Sequence, residues 1–180
     1  MLKKRGTAIV ILIAVAVLGI LFGTHRSLNH LRHEAREVSY QGAEGDGYGI
    51  DNKLHQRSDK AADLCKVAAR YALESETEAV REAITALDSA KNAGEACEAN
   101  RALTAAVDTL SAGLELAALS EEDAAYRVSL TADLTSYELQ LERLAEDYNQ
   151  KARAFNRILD SFPAGILARI TGLHTLEEFA

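Results

Sequence analysis

The chain has 180 residues, enough for one folded domain and an anchor but too few for two sizeable domains. Residues 1–23 carry three basic residues and no acid, so the remainder holds 17 Lys and Arg against 27 Asp and Glu, a net charge of −10. A domain this acidic repels phosphate backbones, so nucleic acid is not an expected partner.

The first predicted element is a transmembrane helix over residues 6–23, preceded by a short basic N-terminus at 1–5. It reads GTAIVILIAVAVLGILFG, 18 residues without a charge. As a helix this stretch is about 27 Å long, close to the hydrocarbon thickness of a bilayer. A signal peptide is the alternative, because Lys3, Lys4 and Arg5 form a suitable n-region, but the apolar run is long and no small-x-small cleavage site follows. We therefore predict a retained single-pass anchor in the cell membrane, with the lipid bilayer as a partner.

The side of the membrane is left open by the charges that flank this segment. Three basic residues precede it, and Arg26, Arg32 and Arg36 follow it. The denser N-terminal cluster favours an N-terminus inside and a domain outside, but the counts on the two sides are equal.

Residues 24–41 are predicted to continue the anchor as a juxtamembrane helix, since Leu28, Leu31, Ala35 and Val38 recur at helical spacing. The next segment, residues 42–50, contains four glycines in the eight residues from Gly42 to Gly49 and is predicted to be a loop. It lacks the Lys and the Ser or Thr of a phosphate-binding loop, so a connector is the expected role.

Residues 51–163 are predicted to form a helical bundle, because Ala, Leu and Glu are abundant and Pro163 is the one proline. A second helix runs from about Asp51 to Ala90 with a kink near residues 74–77, and a third covers about 95–119. Ser120 caps a fourth helix, which ends at Pro163. The predicted fold class is all-α: an N-terminal transmembrane helix followed by an antiparallel bundle of three to four long helices.

The fourth helix carries a heptad-like apolar seam: Leu134, Tyr137, Leu141, Leu144, Tyr148, Phe155, Ile158 and Phe162. Ala152 must serve where the pattern lapses. Asn149 and Asn156 lie one heptad apart, each after an aromatic seam residue. Our preferred interpretation is structural, with amides that hydrogen-bond across the bundle and fix its register; the alternative is a polar groove.

Three motifs in this region resemble the C-terminal helix of the LemA family: Asp147-Tyr148-Asn149, Phe155-Asn156 and Ser161-Phe162-Pro163. The closing residues 164–180 are also similar to that family's ending. Upstream, Leu54, Arg57, Asp59, Leu64 and Tyr71 stand where the family has L-x-x-R-x-D, a leucine and a helix-ending tyrosine.

The chain departs from the family pattern and resembles a divergent member. Ala62 and Asp63 replace a frequent Pro-Asn pair, a common tryptophan is missing, and the glycine-rich segment interrupts a region that is usually helical. The resemblance implies an anchored helical bundle with structural roles for the motif residues and no established activity. It also implies a short N-terminus outside, which opposes the charge-based preference.

Three sets of polar residues are candidates for functional sites. His25, His30 and His33 cluster after the anchor, but no cysteine or carboxylate pair completes a metal site there, so a polar interfacial segment is expected. A basic edge (Lys53, Arg57, Lys60) and an acidic edge (Glu138, Glu142, Glu146) are interpreted as complementary rims of neighbouring helices, with a basic docking stripe as the alternative. Cys65 and Cys97 are expected to be buried free thiols, or to pair in an oxidising compartment.

No Ser/His/Asp or Cys/His grouping is indicated, so the sequence predicts no enzyme, no catalytic residue, no cofactor and no metal site. Residues 164–180 form an amphipathic C-terminal tail that is expected to fold back over the bundle, with membrane or partner contact as the alternatives. The predicted function is a membrane-anchored interaction or scaffolding module that binds an unidentified protein or further copies of itself. The alternative is a ligand-sensing extracytoplasmic bundle.

Overall fold

A computed structural model describes residues 2–42 and 47–180, with side chains from residue 7 onward except at positions 40 and 41. These residues form six helices and no strand: α1 (Leu2–Gln41), α2 (Ile50–Ala68), α3 (Glu74–Ser89), α4 (Ala93–Leu116), α5 (Glu121–Leu159) and α6 (Ala164–Thr171). The predicted all-α class is confirmed, with a long apolar N-terminal helix followed by a helical bundle.

The chain divides into two compact units. The α6 unit comprises residues up to Ala35 together with 150–176, and the bundle unit comprises 36–149 together with 177–180. Each unit has its own buried core.

Helix α1 is continuous from Leu2 to Gln41, so the predicted span and its juxtamembrane extension form one helix of 40 residues. Gly42 follows with φ of 78° and donates its N–H to the carbonyl of Val38 at 3.2 Å. Glycine adopts this left-handed conformation without a Cβ penalty, which ends the helix. Of the predicted loop at 42–50, residues 43–46 lie outside the described part of the chain, and α2 already begins at Ile50.

The predicted single helix over residues 51–90 is wrong, because the chain forms two helices there, α2 and α3. The chain turns at 69–73, where Ala72 takes φ of 55°. Leu73 lies against Gly113 of α4, and a Cβ on that glycine would be only 3.2 Å from Leu73 Cδ2. No glycine or proline occurs in the turn, which is why the helical pattern indicated only a kink.

In the bundle unit, α3 packs against both α2 and α4. Helix α4 starts at the N-cap Asn92, whose Oδ1 accepts from the Glu95 N–H at 2.8 Å, while Glu95 Oε2 accepts from the N–H of the preceding residue, Lys91, at 2.8 Å. Helices α2 and α5 are antiparallel, since ion pairs join Arg57 to Glu138 and Lys60 to Asp133. The larger buried side chains of this core are Leu64, Val67, Val80, Leu103, Leu110, Leu114, Leu130 and Leu141.

The predicted seam of α5 is correct in part. The buried apolar and aromatic residues along its C-terminal half are Leu141, Ala145, Tyr148, Ala152, Phe155 and Leu159, at alternating spacings of four and three. Ala152 therefore serves as predicted, but Phe162 and Ile158 are exposed. A strict seven-residue repeat drifts by about 20° per heptad around a straight helix, which explains why Leu159 is buried in place of the predicted Ile158. Phe162 lies outside the helix altogether, because α5 ends at Leu159 rather than at Pro163.

The core of the α6 unit joins three segments of the chain. Leu28 of α1, Phe155 and Leu159 of α5, and residues of α6 and the following segment pack together: Ala164, Ala168 and Leu173. The first turn of α6 admits only glycine at position 165, since a Cβ there would be 2.6 Å from the carbonyl oxygen of Leu159. Gly172, with φ of 68°, ends α6.

Candidate functional site

The longest run of exposed large apolar side chains in the described part of the chain lies on α1. Large apolar side chains from Ile9 to Phe22 expose between 47% and 73% of their area: Ile9, Val10, Ile11, Leu12, Ile13, Val15, Val17, Leu18, Ile20 and Phe22. The most apolar 18-residue window of this helix has a mean hydropathy of 2.7 and contains no buried residue. Water-soluble monomers rarely expose a patch of this size. The helix is long and apolar enough to cross a membrane, and a signal sequence would meet the same description.

The juxtamembrane histidines make local contacts. Asn29 donates its amide to His25 Nε2 at 2.9 Å, and His30 Nε2 lies 3.6 Å from a Glu34 carboxylate oxygen. Within residues 2–42 and 47–180, no group of three or more His, Cys, Asp or Glu side chains is arranged to hold a metal ion. Among these described residues, His25, His30 and His33 therefore do not form part of a metal-binding group.

Arg57 is the most elaborately bonded motif residue. Its guanidinium pairs with the Glu138 carboxylate, donates to Asn100 Oδ1, and donates through Nη2 to Thr104 Oγ1 at 2.9 Å. Burial lowers the pKa of Arg57, and the neighbouring Glu138 opposes that shift. The cluster joins α2, α4 and α5. Asn100 and Thr104 were missed by the sequence analysis, because polar residues inside a helical stripe carry no signal of a distant partner.

The predicted complementary rims are correct only in part. Arg57 does pair with Glu138, but Lys60 pairs with Asp133 at 2.8 Å rather than with the acidic edge. Lys53 is buried, with its Nζ 4.9 Å and 5.3 Å from the ring centroids of Tyr48 and Tyr137. Two of the three basic residues are thus enclosed by the bundle, which disfavours the alternative of a basic docking stripe.

Tyr71 is part of a second network, at the start of α5. Its hydroxyl donates to Asp123 Oδ2 at 2.5 Å and accepts from the Ser120 N–H at 3.1 Å, while Arg70 contacts Asp123 Oδ1 at 2.5 Å. Ser120 Oγ accepts from the Asp123 N–H at 3.1 Å and caps the helix as predicted. Tyr71 therefore ties the turn after α2 to the N-terminus of α5.

This network predicts an acid-sensitive contribution to stability. The hydrogen bond from Tyr71, helped by Ser120 and Arg70, holds the pKa of Asp123 below its ordinary value of 3.8. A carboxyl group whose pKa is lower in the folded state than in the unfolded state stabilises the fold at pH values above the unfolded-state pKa. That contribution is lost as the pH falls through the folded-state pKa. We expect Asp123→Asn to lower the urea midpoint of the full chain in detergent at pH 7, and to shrink the difference between pH 7 and pH 3. Asp88→Asn, at an exposed site, is the control; equal pH profiles for the two variants would contradict the prediction.

The C-terminal segment is held by amides of α5 within each unit. In the bundle unit, Asn149 Nδ2 donates to the carbonyl of Phe179 at 2.9 Å and Asn149 Oδ1 accepts from the Phe179 N–H at 2.7 Å. The Tyr148 hydroxyl donates to the carbonyl of Glu177 at 2.8 Å. In the α6 unit, Asn156 makes the same pair of bonds to the N–H and carbonyl of Leu176, both at 2.8 Å. We call these two amide pairs the C-terminal clamps.

The clamps correct the predicted role of the two asparagines. They are structural, but they bind the backbone of the C-terminal segment instead of fixing the register between helices. Within each unit, the C-terminal segment is therefore attached to α5 through backbone bonds that depend little on its own side chains.

The remaining motif residues have more modest surroundings. Phe155 is fully buried in the core of the α6 unit. Asp59 is exposed, 3.8 Å from His55 Nε2, and Asp147 is exposed as well. The Ser161 hydroxyl donates to the carbonyl of Ile158 at 2.7 Å, and Pro163 caps α6. The prediction that Phe162 belongs to the core is wrong, since its side chain is exposed.

Both cysteines are free and buried, as expected. Burial raises the pKa of the Cys65 and Cys97 thiols, and Cys65 Sγ lies 3.8 Å from the carbonyl oxygen of Thr77. A thiol with a raised pKa and no access reacts slowly, because the thiolate is the reactive species. We expect both to resist Ellman's reagent in the folded chain and to react at once in urea. Ser89→Cys, an exposed position on α3, supplies the fast control; equally fast reaction of the native thiols would refute burial.

A depression of about 490 Å³ lies beside α6. Its lining combines apolar and polar side chains from the end of α5, from α6 and from the segment after it, among them Phe162, Ile166, Arg169 and His174. The depression belongs entirely to the α6 unit.

Comparison with known proteins identifies the family. The sequence model described as the LemA family matches residues 47–180, which is 134 of the 180 residues and includes α2 to α6. No protein of established annotation matches the chain. Helix α1 lies outside the matched range, whereas Arg57, Tyr71 and both clamps lie within it. The motifs and the match over most of the chain agree, and the chain belongs to the LemA family.

Proposed function

We propose that this LemA-family chain is a single-pass membrane protein whose helical bundle is a non-catalytic interaction module beside the bilayer. The observation that carries the proposal is the continuous exposed apolar surface of α1. Each large apolar side chain gains roughly 1.5–3 kcal/mol on leaving water, so a bilayer is a strongly favoured environment for this helix.

The bonding of the motif residues supports binding rather than catalysis. Arg57 through its two Nη atoms, Tyr71 through its hydroxyl and Asn149 through its amide bind groups of the chain itself, where they join helices or hold the C-terminal segment. A catalytic group needs polar atoms that are free to meet a substrate. We therefore assign these residues to the scaffold, and propose that the outer faces of the bundle bind another protein or further copies of the chain.

Membrane fractionation tests the anchor. We expect the wild-type chain to stay in the pellet after carbonate extraction, with its N-terminus uncleaved by mass spectrometry. The double variant I13K/L18K should move to the supernatant, because two lysines at the centre of a span cost about 5–7 kcal/mol together. Leu116→Lys, in the bundle unit, is the matched control and should stay in the pellet. A mature chain that begins after residue 23 would show that the segment is a signal peptide.

Cross-linking in intact membranes tests the interaction. We expect a discrete species heavier than the monomer, whose composition by mass spectrometry separates a foreign partner from a second copy. The same species should disappear when the membranes are dissolved in denaturing detergent before the reagent is added. A chain that remains monomeric over a range of reagent concentrations would contradict the interaction role and leave the anchor result unaffected.

A further inference from the structure

The outer edge of α6 is apolar and uncovered. Phe162, Ile166 and Ile170 are 84%, 54% and 75% exposed, and they follow one another at intervals of four residues. The opposite face of α6 is buried through Ala164, Leu167 and Ala168. Spacing of four residues places Ile166 and Ile170 on one side of the helix, and Phe162 lines the same depression as Ile166. Three large apolar residues in one strip need an occupant that removes them from water.

The position of α6 along α1 indicates which occupant this is. Ala164 and Ala168 pack in one core with Leu28 of α1, and Leu28 lies five residues after Gly23, the end of the uncharged apolar run. Five residues of helix rise about 7.5 Å. The headgroup region of a bilayer extends about 5–8 Å beyond each side of the hydrocarbon core. If α1 spans the membrane, α6 is therefore attached at the level of the lipid headgroups.

The charge of the same unit is complementary to anionic lipid. Residues 24–35 and 150–176 carry six Lys and Arg against two Asp and Glu, a net charge of +4. The bundle unit carries 11 against 25, a net charge of −14. Arg169 is exposed on α6 between Ile166 and Ile170 and lines the depression, with Asp160 as the acid on that lining. Anionic headgroups attract basic residues near the surface by about 1 kcal/mol each.

We propose that α6 is an interfacial helix whose edge of Phe162, Ile166 and Ile170 inserts into the headgroup region of an anionic bilayer, with Arg169 at the lipid phosphates. The proposal rests on the proposed function, since it needs α1 to span the membrane. It adds a second membrane contact, which fixes the α6 unit against the bilayer surface. An amphipathic helix of this kind buries its apolar edge about 5–10 Å into the interface.

The absence of tryptophan from the chain makes a direct test possible. Full-length chains with one introduced tryptophan, I170W or F162W, are reconstituted into phosphatidylcholine–phosphatidylglycerol vesicles, with and without bromine on the upper acyl carbons. L116W is the matched control, because Leu116 is an apolar residue that is 90% exposed in the bundle unit. We expect roughly twofold or greater quenching of I170W and F162W relative to L116W, together with a blue-shifted emission, because an inserted edge meets the acyl carbons.

A third reporter, V15W in the apolar run of α1, is measured in vesicles with bromine near the ends of the acyl chains, at the depth of its side chain, and separates the two proposals. If V15W is quenched but I170W is quenched no more than L116W, the interfacial helix alone is overturned. If V15W is not quenched, the anchor is overturned. Shielding of I170W from aqueous iodide without bromolipid quenching would assign the edge to a protein partner or a second copy, and would also overturn the proposal. In vesicles of phosphatidylcholine alone, we expect the quenching of I170W to be weaker and that of V15W to be unchanged. Equal quenching of I170W in both lipids would contradict the role of Arg169.

Discussion

Arg57→Ala is expected to lower the free energy of unfolding of the bundle unit by about 3–5 kcal/mol, because it leaves buried polar groups without their partner. The substitution removes the ion pair to Glu138 and the bonds to Asn100 and Thr104 in one step. Arg57→Met should be less damaging than Arg57→Ala, since it keeps most of the buried side-chain volume. The measurement is unfolding by guanidinium chloride, followed by circular dichroism on the full chain in detergent.

A double-mutant cycle isolates the pair, and the same helices supply a control. The cycle R57M, E138Q and both together should give a coupling energy of about 1.5–3 kcal/mol, as expected for a hydrogen bond to a charged group. Lys60 and Asp133 join α2 to α5 nearby, but their side chains are 32% and 41% exposed, against 3% for Arg57 and 30% for Glu138. The cycle K60M and D133N should give a clearly smaller coupling energy, because solvent screens this more exposed pair. Equal coupling energies for the two pairs would show that burial adds nothing to the Arg57 cluster.

Periodicity was sufficient to predict the helices whose ends carry a chemical signal. Ser120 caps α5 and Gly42 follows α1, because a capping hydroxyl accepts from a free backbone N–H and glycine readily adopts the positive φ that ends a helix. The turn after α2 carries no such signal. It is stabilised by contacts with distant residues, Leu73 with Gly113 and Tyr71 with Asp123, and a helical pattern read along the chain contains no information on them.

The candidate sites also differ in whether local sequence is enough to predict them. The apolar run of α1 was evident, because its meaning depends on local composition alone. The clamps could not be predicted from the sequence, because the partners of Asn149 and Asn156 are backbone groups, which every residue carries. Phe162 was assigned to the core from its heptad spacing, although the helix that would place it there ends at Leu159.

Asn149→Ala is expected to lower the free energy of unfolding by about 1–3 kcal/mol, because it leaves the N–H and the carbonyl of Phe179 without partners in a buried site. Asn149→Asp should be more harmful at pH 7, since it loses the donor to the Phe179 carbonyl and places a charge in a buried position. Asp147→Ala, two residues away in the same motif but exposed, should stay within about 0.5 kcal/mol of the wild type.

Hydrogen exchange distinguishes the clamp from a merely apolar docking of Phe179. If the Asn149 amide holds the backbone, Asn149→Ala should speed exchange of the Phe179 N–H, whereas Phe179→Leu, which keeps the backbone bonds, should leave that N–H protected at position 179. Asn156→Ala should release the Leu176 N–H in the α6 unit by the same reasoning. Protection of the Phe179 amide that survives Asn149→Ala but is lost in Phe179→Leu would assign the attachment of the C-terminus to side-chain burial, and the two asparagines would then need another explanation.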